Sequence, residues 1–274
     1  MSGNATPQDQ AGRAARRLVL SVISAFLFPL IIWLVWYRVA GYRPATVMAA
    51  QTALLVLAVG LVLATRLGFR ETGLSIAKLP QALAAGAIAY AAVMGLAFVL
   101  QLVGLAELQI LRTQYRLDAF VSSWALTAFG EELLFAGVIF TLCRRLFESL
   151  PGGRRNRWIA LVTVAVLFAL WHLPGYIVVG HTGGALYGRL GLNLASWLIF
   201  GLIYLFSANL WLVVIAHAST DYGLTPLITN EPLLGLLFMG TLVLAAWYLG
   251  RRRSHSLVLE TQKSSGSGSG GHSS

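Results

Sequence analysis

The sequence predicts an all-α polytopic membrane protein, built as a bundle of about eight transmembrane helices. Hydrophobic residues make up 57% of the 274 residues and charged residues only 11%, whereas soluble domains usually contain about 25% charged residues. The chain also contains eight apolar runs close to the roughly 20 residues that a helix needs to cross a bilayer. Most basic residues fall between these runs, as expected for loops that connect membrane spans.

The eight predicted spans lie at roughly residues 18–39, 46–66, 81–104, 119–143, 157–180, 190–206, 208–229 and 233–250. Only Ser207 and Ala208 separate the sixth run from the seventh, so these two form either a tight helical hairpin or one broken element. The first run follows three arginines, like the hydrophobic region of a signal peptide. It is too long for such a region and lacks a convincing cleavage site, so we interpret it as a retained span.

The basic residues predict the orientation of the bundle. If the N-terminus is cytoplasmic, fifteen of the 20 Lys and Arg residues fall on the cytoplasmic side. The five on the other side are Arg38, Arg43, Arg112, Arg116 and Arg189. This positive-inside bias predicts that both the N- and the C-terminus are cytoplasmic. The expected location of the protein is the inner (cytoplasmic) membrane of a bacterium. The net charge of +10 is therefore a topology signal, and the predicted partners are the lipid bilayer and a membrane protein or peptide, not nucleic acid.

The domain organisation is simple. A single transmembrane helical domain at 13–254 lies between a disordered N-terminus at 1–12 and a flexible Gly/Ser-rich tail at 255–274. The mixed segment 67–80 is predicted to lie at the cytoplasmic surface. Three polar residues near span ends are predicted to be interfacial: His181, Asn193 and Asn209.

Five ionisable side chains lie inside apolar runs. Glu131 and Glu132 are adjacent in FGEELLFAGVIF, His172 lies in VLFALWHLPG, and His217 and Asp221 lie in WLVVIAHASTDYG. Because one charge at the centre of a span costs about 2.5–3.5 kcal/mol, we expect the five to share one hydrated cavity. His217 and Asp221 are four residues apart on one helix face, and the two glutamates, about 100° apart on a helix, can border the same cavity. Pro174 predicts a break or kink beside His172.

This set of residues suits water-mediated hydrolysis of a peptide bond. Close carboxylates titrate as a unit, and a carboxylate beside a histidine can take a proton from water and deliver it to a leaving amine. His217 with Asp221 could polarise the attacked carbonyl. Taken singly, His172 or Asp221 could instead form hydrogen bonds between helices. No cofactor is expected, although His and Glu are common zinc ligands and their spacing leaves a divalent metal such as zinc open.

Three motifs resemble those of the CPBP family of membrane proteins, which comprises CAAX proteases and bacteriocin-processing proteins. GEELLFAG at 130–137 resembles the EExxxR motif, FALWH at 168–172 matches FxxxH, and HASTD at 217–221 matches HxxxN or HxxxD. The motifs occur in the family's order, and the similarity covers about residues 120–225. The resemblance implies a glutamic, or metal-dependent, intramembrane protease. It further implies that Glu131 activates water with help from His172, that Glu132 supports this site, and that His217 and Asp221 line the oxyanion side.

One position departs from the family pattern, because Ala136 stands where the motif has arginine. An arginine there would neutralise and orient a carboxylate. Three accounts are open: a subfamily that works without this arginine, an inactive relative, or an introduced mutation.

The leading hypothesis for the function of the chain is an intramembrane endopeptidase. The alternatives are a non-catalytic peptide-binding or immunity-type membrane protein and a proton-coupled transporter, since buried Glu and His also mark proton pathways.

Overall fold

The computed structural model describes most of the chain from residue 44 onward, together with short pieces before it. The described residues are 16, 19–27, 30–31, 34–35, 38–39, 44–105, 108–110, 117–148, 156–222, 227–229 and 232–266. Seven helices occupy most of the part from residue 44: α1 Pro44–Ala64, α2 Leu79–Leu102, α3 Leu117–Glu148, α4 Asn156–Val178, α5 Gly183–Ser207, α6 Leu210–Asp221 and α7 Pro232–Gly266. A 3₁₀ turn, Ile76–Lys78, precedes α2.

The prediction of an all-α fold is confirmed, with one small addition. Strands β1 (Leu108–Ile110) and β2 (Leu227–Thr229) form a two-stranded antiparallel ribbon. Leu108 lies opposite Thr229 in this ribbon, and Ile110 lies opposite Leu227. The ribbon connects the segment after α2 to the segment after α6. Helix α7 continues to Gly266, into the segment predicted to be a flexible tail.

Six helices in the described part of the chain are long and apolar enough to cross a membrane, and they correspond to six of the eight predicted spans. The seventh predicted span, 208–229, is wrong as a full crossing, because α6 ends at Asp221 after 12 residues. Gly223 and Pro226 lie in the apolar run beyond that point, and both residues disfavour a continuing helix. The first predicted span, 18–39, lies largely outside the described residues.

Helices α3 and α6 form the interior of the bundle. In the apolar window of α3, 83% of the residues are buried, against 22–33% in the other five long helices. All residues of α6 from Leu212 to Ala218 are buried. The surrounding helices contact this pair, with α2 and α5 packed against α6 and α1 and α4 packed against α3. Glu132 on α3 and His217 on α6 are therefore held in the interior of the bundle.

Helix α3 changes its hydrogen-bond register around the two glutamates. The stretches Ser122–Ala128 and Leu133–Phe140 are π-helical, and a single α-helical turn, Phe129–Glu132, separates them. π-Helical segments are rare and occur frequently at functional sites. The glutamate pair thus lies where the central helix departs from regular α geometry on both sides.

Helices α5 and α6 form a tight hairpin, which was one of the two predicted alternatives. Ala208 adopts a left-handed conformation with φ 45°, and Asn209 caps α6 by accepting a hydrogen bond on Oδ1 from the backbone N–H of Trp211 at 3.1 Å. Asn209 is only 1% exposed. The prediction that Asn209 is interfacial stays a prediction, and the structure adds that its side chain satisfies the buried start of a helix.

The segment between α1 and α2 fastens this hairpin turn. Its four hydrogen bonds to the turn are Leu210 N–H to Gly73 O, Trp211 Nε1–H to Ser75 O, Asn209 Nδ2–H to Lys78 O, and Lys78 Nζ–H to Ala208 O. Gly73 has φ +75°, and a Cβ there would lie 2.8 Å from the Tyr204 ring. Glycine is therefore required at this close approach. We call residues 73–78 the turn clamp.

Candidate active site

Glu131 and Glu132 point to different surroundings although they are adjacent on α3. The side chain of Glu131 is 12% exposed and borders a cavity. Glu132 is 0% exposed and points toward α6. This divergence follows from the rotation of about 100° between successive residues of a helix. One carboxylate is thus available to a ligand, while the other is enclosed by protein.

His172 on α4 presents one defined ring nitrogen to Glu131. Its Nδ1–H donates to the backbone oxygen of Phe168 at 2.8 Å. A carbonyl oxygen can only accept, so this contact assigns a proton to Nδ1. Nε2 faces Glu131 Oε2 at 3.7 Å. Helix α4 continues through Pro174 to Val178, so the predicted break is absent from this described helix; one turn of helix follows the proline.

His217 on α6 lies among three carboxylates. Its Nδ1–H donates to Glu132 Oε1 at 2.7 Å, a short distance typical of a charge-assisted hydrogen bond. Its Nε2 lies 3.5 Å from Asp221 Oδ2 and 3.9 Å from Glu131 Oε2. The ring also stacks on Phe200 of α5, with centroids 4.9 Å apart. Packing and hydrogen bonding together fix the orientation of this imidazole.

The structure brings all five predicted side chains together, with Glu131 between the two histidines. The distances of 3.7 and 3.9 Å from its carboxylate to the two Nε2 atoms are too long for direct hydrogen bonds. They match a gap that one water molecule can bridge. Asp221, at the end of α6, is the most exposed of the five at 34%.

Glu132 is incompletely satisfied. Its Oε2 atom is buried without a hydrogen-bond partner in the described part of the chain. Ala136 follows four residues later on α3 and is fully buried. The side chain of an arginine at position 136 would start about one helical turn from Glu132, within reach of the unpartnered oxygen. The departure from the EExxxR pattern therefore coincides with a missing donor beside Glu132.

A cavity of about 340 Å³ leads to Glu131 and His172. Its other lining residues come from α1, α4 and the start of α5: Val47, Ala50, Gln51, Leu54, Trp171, Gly175, Tyr176, Val179, His181 and Arg189. Sequence reasoning missed Gln51, Tyr176 and Arg189 as cavity residues. The spacing of His172 and Tyr176, four residues apart on one helix, was the available signal for the tyrosine.

Two residues predicted to be interfacial contact this cavity wall. His181 lines the cavity and packs edge-on against Tyr176, with ring centroids 5.7 Å apart. Asn193 Nδ2 donates to the Tyr176 hydroxyl at 2.9 Å. Tyr176 in turn stacks on His172 at 6.1 Å. The interfacial prediction for His181 and Asn193 thus missed their part in a polar chain that ends at His172.

The sequence leaves a divalent metal such as zinc open, and this stays a prediction. In the described part of the chain, no group of three or more His, Cys, Asp or Glu side chains could hold a metal ion. Zn–N and Zn–O bonds of about 2.0–2.1 Å in a tetrahedron place ligand atoms about 3.4 Å apart. Glu131 Oε2 is 3.7 and 3.9 Å from the two histidine nitrogens, so binding a zinc ion would draw these three atoms closer together.

Comparison with known families agrees with this arrangement. Residues 114–223 match the family described as type II CAAX prenyl endopeptidase Rce1-like, and this range contains all five clustered side chains. No curated protein and no solved structure matches the chain significantly. The family and the apolar helices together indicate an integral membrane protein. The match supports the resemblance to the CPBP family of CAAX proteases that the three motifs indicate.

Proposed function

We propose that this chain is an intramembrane endopeptidase that hydrolyses a peptide bond of a membrane-associated protein or peptide. One observation carries the proposal: the Glu131 carboxylate borders a cavity and lies between the Nε2 atoms of His172 and His217. A purely structural carboxylate would be enclosed and directly paired, as Glu132 is with His217. Glu131 instead keeps room for a water molecule and a substrate.

Glu131 is the general base in this proposal, and His172 helps to position the water. The water donates one proton to the Glu131 carboxylate while its oxygen attacks the carbonyl carbon of the peptide bond. Nδ1–H of His172 donates a hydrogen bond to the backbone oxygen of Phe168. In the neutral ring Nε2 is therefore unprotonated, and it can accept a hydrogen bond from the second hydrogen of the water. The carbon–nitrogen bond then breaks, and Glu131 returns its proton to the leaving amine. The products are a new carboxylate end and a new amine end.

His217 acts on the opposite side of the attacked carbonyl. In its protonated form, Nε2 donates to the oxygen that becomes negative in the tetrahedral intermediate. Glu132 is a positioning residue, because its contact with Nδ1 of His217 fixes the ring. Asp221 lies 3.5 Å from Nε2 and orients the same nitrogen. The buried surroundings strengthen these interactions by excluding bulk water.

The alternative is a non-catalytic protein that binds a peptide in the same cavity. Ala136 and the unpartnered Glu132 oxygen favour this alternative, because a supporting contact of the family motif is missing. A proton-coupled transporter is supported less well, since the sequence has no matching halves with broken helices. Both alternatives predict that no peptide bond is cut.

The test compares protein termini in membranes of cells that produce the natural chain, the Glu131→Gln variant or the Glu148→Gln variant. Glu148 is the matched control, because it is an exposed glutamate on the same helix that pairs with Arg144 at 3.6 Å. We expect termini that occur with the natural chain and with Glu148→Gln but disappear with Glu131→Gln. Identical termini in all three membranes, at equal protein levels, would contradict the proposal and favour a peptide-binding protein.

A further inference from the structure

The two ends of the bundle differ in charge. Near the turn clamp lie most of the described basic residues: Arg66, Arg70, Lys78, Arg144, Arg145, Arg157, Arg251 and Arg252. Contacts establish that these segments share one end of the molecule. Arg145 pairs with Glu71 at 2.8 Å, and Gly250 of α7 lies against the backbone of Phe206, just before the α5–α6 turn. We call this the basic end.

The cavity leads to the opposite end. On α1 it is lined by residues between Val47 and Leu54, which belong to the first half of a helix that ends at the basic end. On α4 it is lined by Trp171 through Val179, at the end of a helix that starts at the basic end. His181, in the α4–α5 turn, completes this side. The mouth is therefore separated from the basic end by the length of the bundle.

From these two observations we infer that the cavity opens on the non-cytoplasmic face of the membrane and receives an exported segment of a membrane-anchored protein or peptide. Basic loops are retained in the cytoplasm, and eight of the described Lys and Arg residues lie at the basic end. The substrate part of this inference rests on the proposed function. The orientation of the cavity in the membrane does not depend on catalysis.

The depth of the site limits where the substrate is cut. Val179 lies seven positions after His172, just past the end of α4, which corresponds to roughly 10 Å along a helix axis. The peptide bond is thus reached below the outer surface, within the outer half of a bilayer whose hydrocarbon core is about 30 Å thick. Arg189 places a positive charge in the cavity lining. The substrate segment that enters the cavity is therefore expected to accept or carry an acidic group near Arg189.

Cysteine labelling tests the orientation without any substrate. Thr182→Cys introduces a thiol in the exposed α4–α5 turn, and Ala77→Cys introduces one at an exposed position of the basic end. The unmodified chain, whose single Cys143 is buried, gives the background. We expect a membrane-impermeant maleimide to label Thr182→Cys in intact cells and Ala77→Cys only after the membrane is permeabilised. The reverse pattern, or labelling of both in intact cells, would overturn the inference.

The positions of new protein termini test the substrate class separately. Termini that depend on Glu131 are expected in the exported parts of membrane-anchored proteins. If such termini map to cytoplasmic segments, the protease proposal stands and this inference fails. If labelling gives the expected orientation but no termini depend on Glu131, the orientation stands and the proposed activity fails.

Discussion

The contact between α4 and α5 at Gly201 gives a sharp test of the packing that holds the site. A Cβ at Gly201 would lie 2.3 Å from Leu161 Cδ1 and 2.8 Å from Trp197 Cζ3, whereas ordinary contacts are 3.4–4 Å. The atoms must therefore separate by about 1 Å, and overpacking of this kind costs about 1–3 kcal/mol. We expect Gly201→Ala to lower the free energy of unfolding by this amount in a denaturant titration at fixed detergent concentration.

The same helix supplies the control. Gly191 has nothing within 4 Å of its Cβ position, so Gly191→Ala should leave stability unchanged or raise it by up to about 1 kcal/mol through helix propensity. Leu161→Ala removes the clashing methyl group, so its cost should be smaller in the Gly201→Ala background than alone. Equal stability of Gly201→Ala and the natural chain, or an equal loss in Gly191→Ala, would refute the packing argument.

Three further predictions concern the site itself. Glu132→Gln keeps an acceptor for His217 Nδ1, so it should retain more stability and a higher kcat than Glu132→Ala. Glu132→Ala should lower the free energy of unfolding by about 1–3 kcal/mol in the same titration. Equal losses in the two variants would contradict the positioning role of Glu132. Ala136→Arg supplies a donor near Glu132 Oε2, so its peptide hydrolysis should exceed that of the similarly long Ala136→Met, and the opposite ranking would reject this reading. Removal of metal with a chelator should leave hydrolysis unchanged; loss that added zinc restores would instead assign a metal to the site.

The grouping of the five polar residues could be predicted from sequence because its cause is a local cost. A charge in an apolar span is expensive wherever the span packs, so Glu131, His172 and His217 had to meet polar partners. The individual contacts could not be predicted in this way. Nothing in the order of residues indicates that His217 Nδ1 selects Glu132 over Glu131, because that choice depends on how α6 is rotated against α3.

The π-helical stretches and the shortened α6 were also beyond the sequence pattern. A π-helix differs from an α-helix in hydrogen-bond register, and the apolar residues of Leu133–Phe140 suit either register equally. The end of α6 did have a signal, since Gly223 and Pro226 follow Asp221 closely. Average hydropathy is little affected by one glycine and one proline, so the apolar run extends to residue 229 although α6 ends at Asp221.

The turn clamp links the basic end of the molecule to the position of His217. Helix α6 begins at the clamped turn, and His217 lies seven residues beyond Leu210, roughly 10 Å along the axis. A short helix moves as a rigid rod, so any shift of Gly73 or Ser75 is passed to the imidazole. Substitutions in residues 73–78 are therefore expected to move His217, although none of these residues lines the cavity.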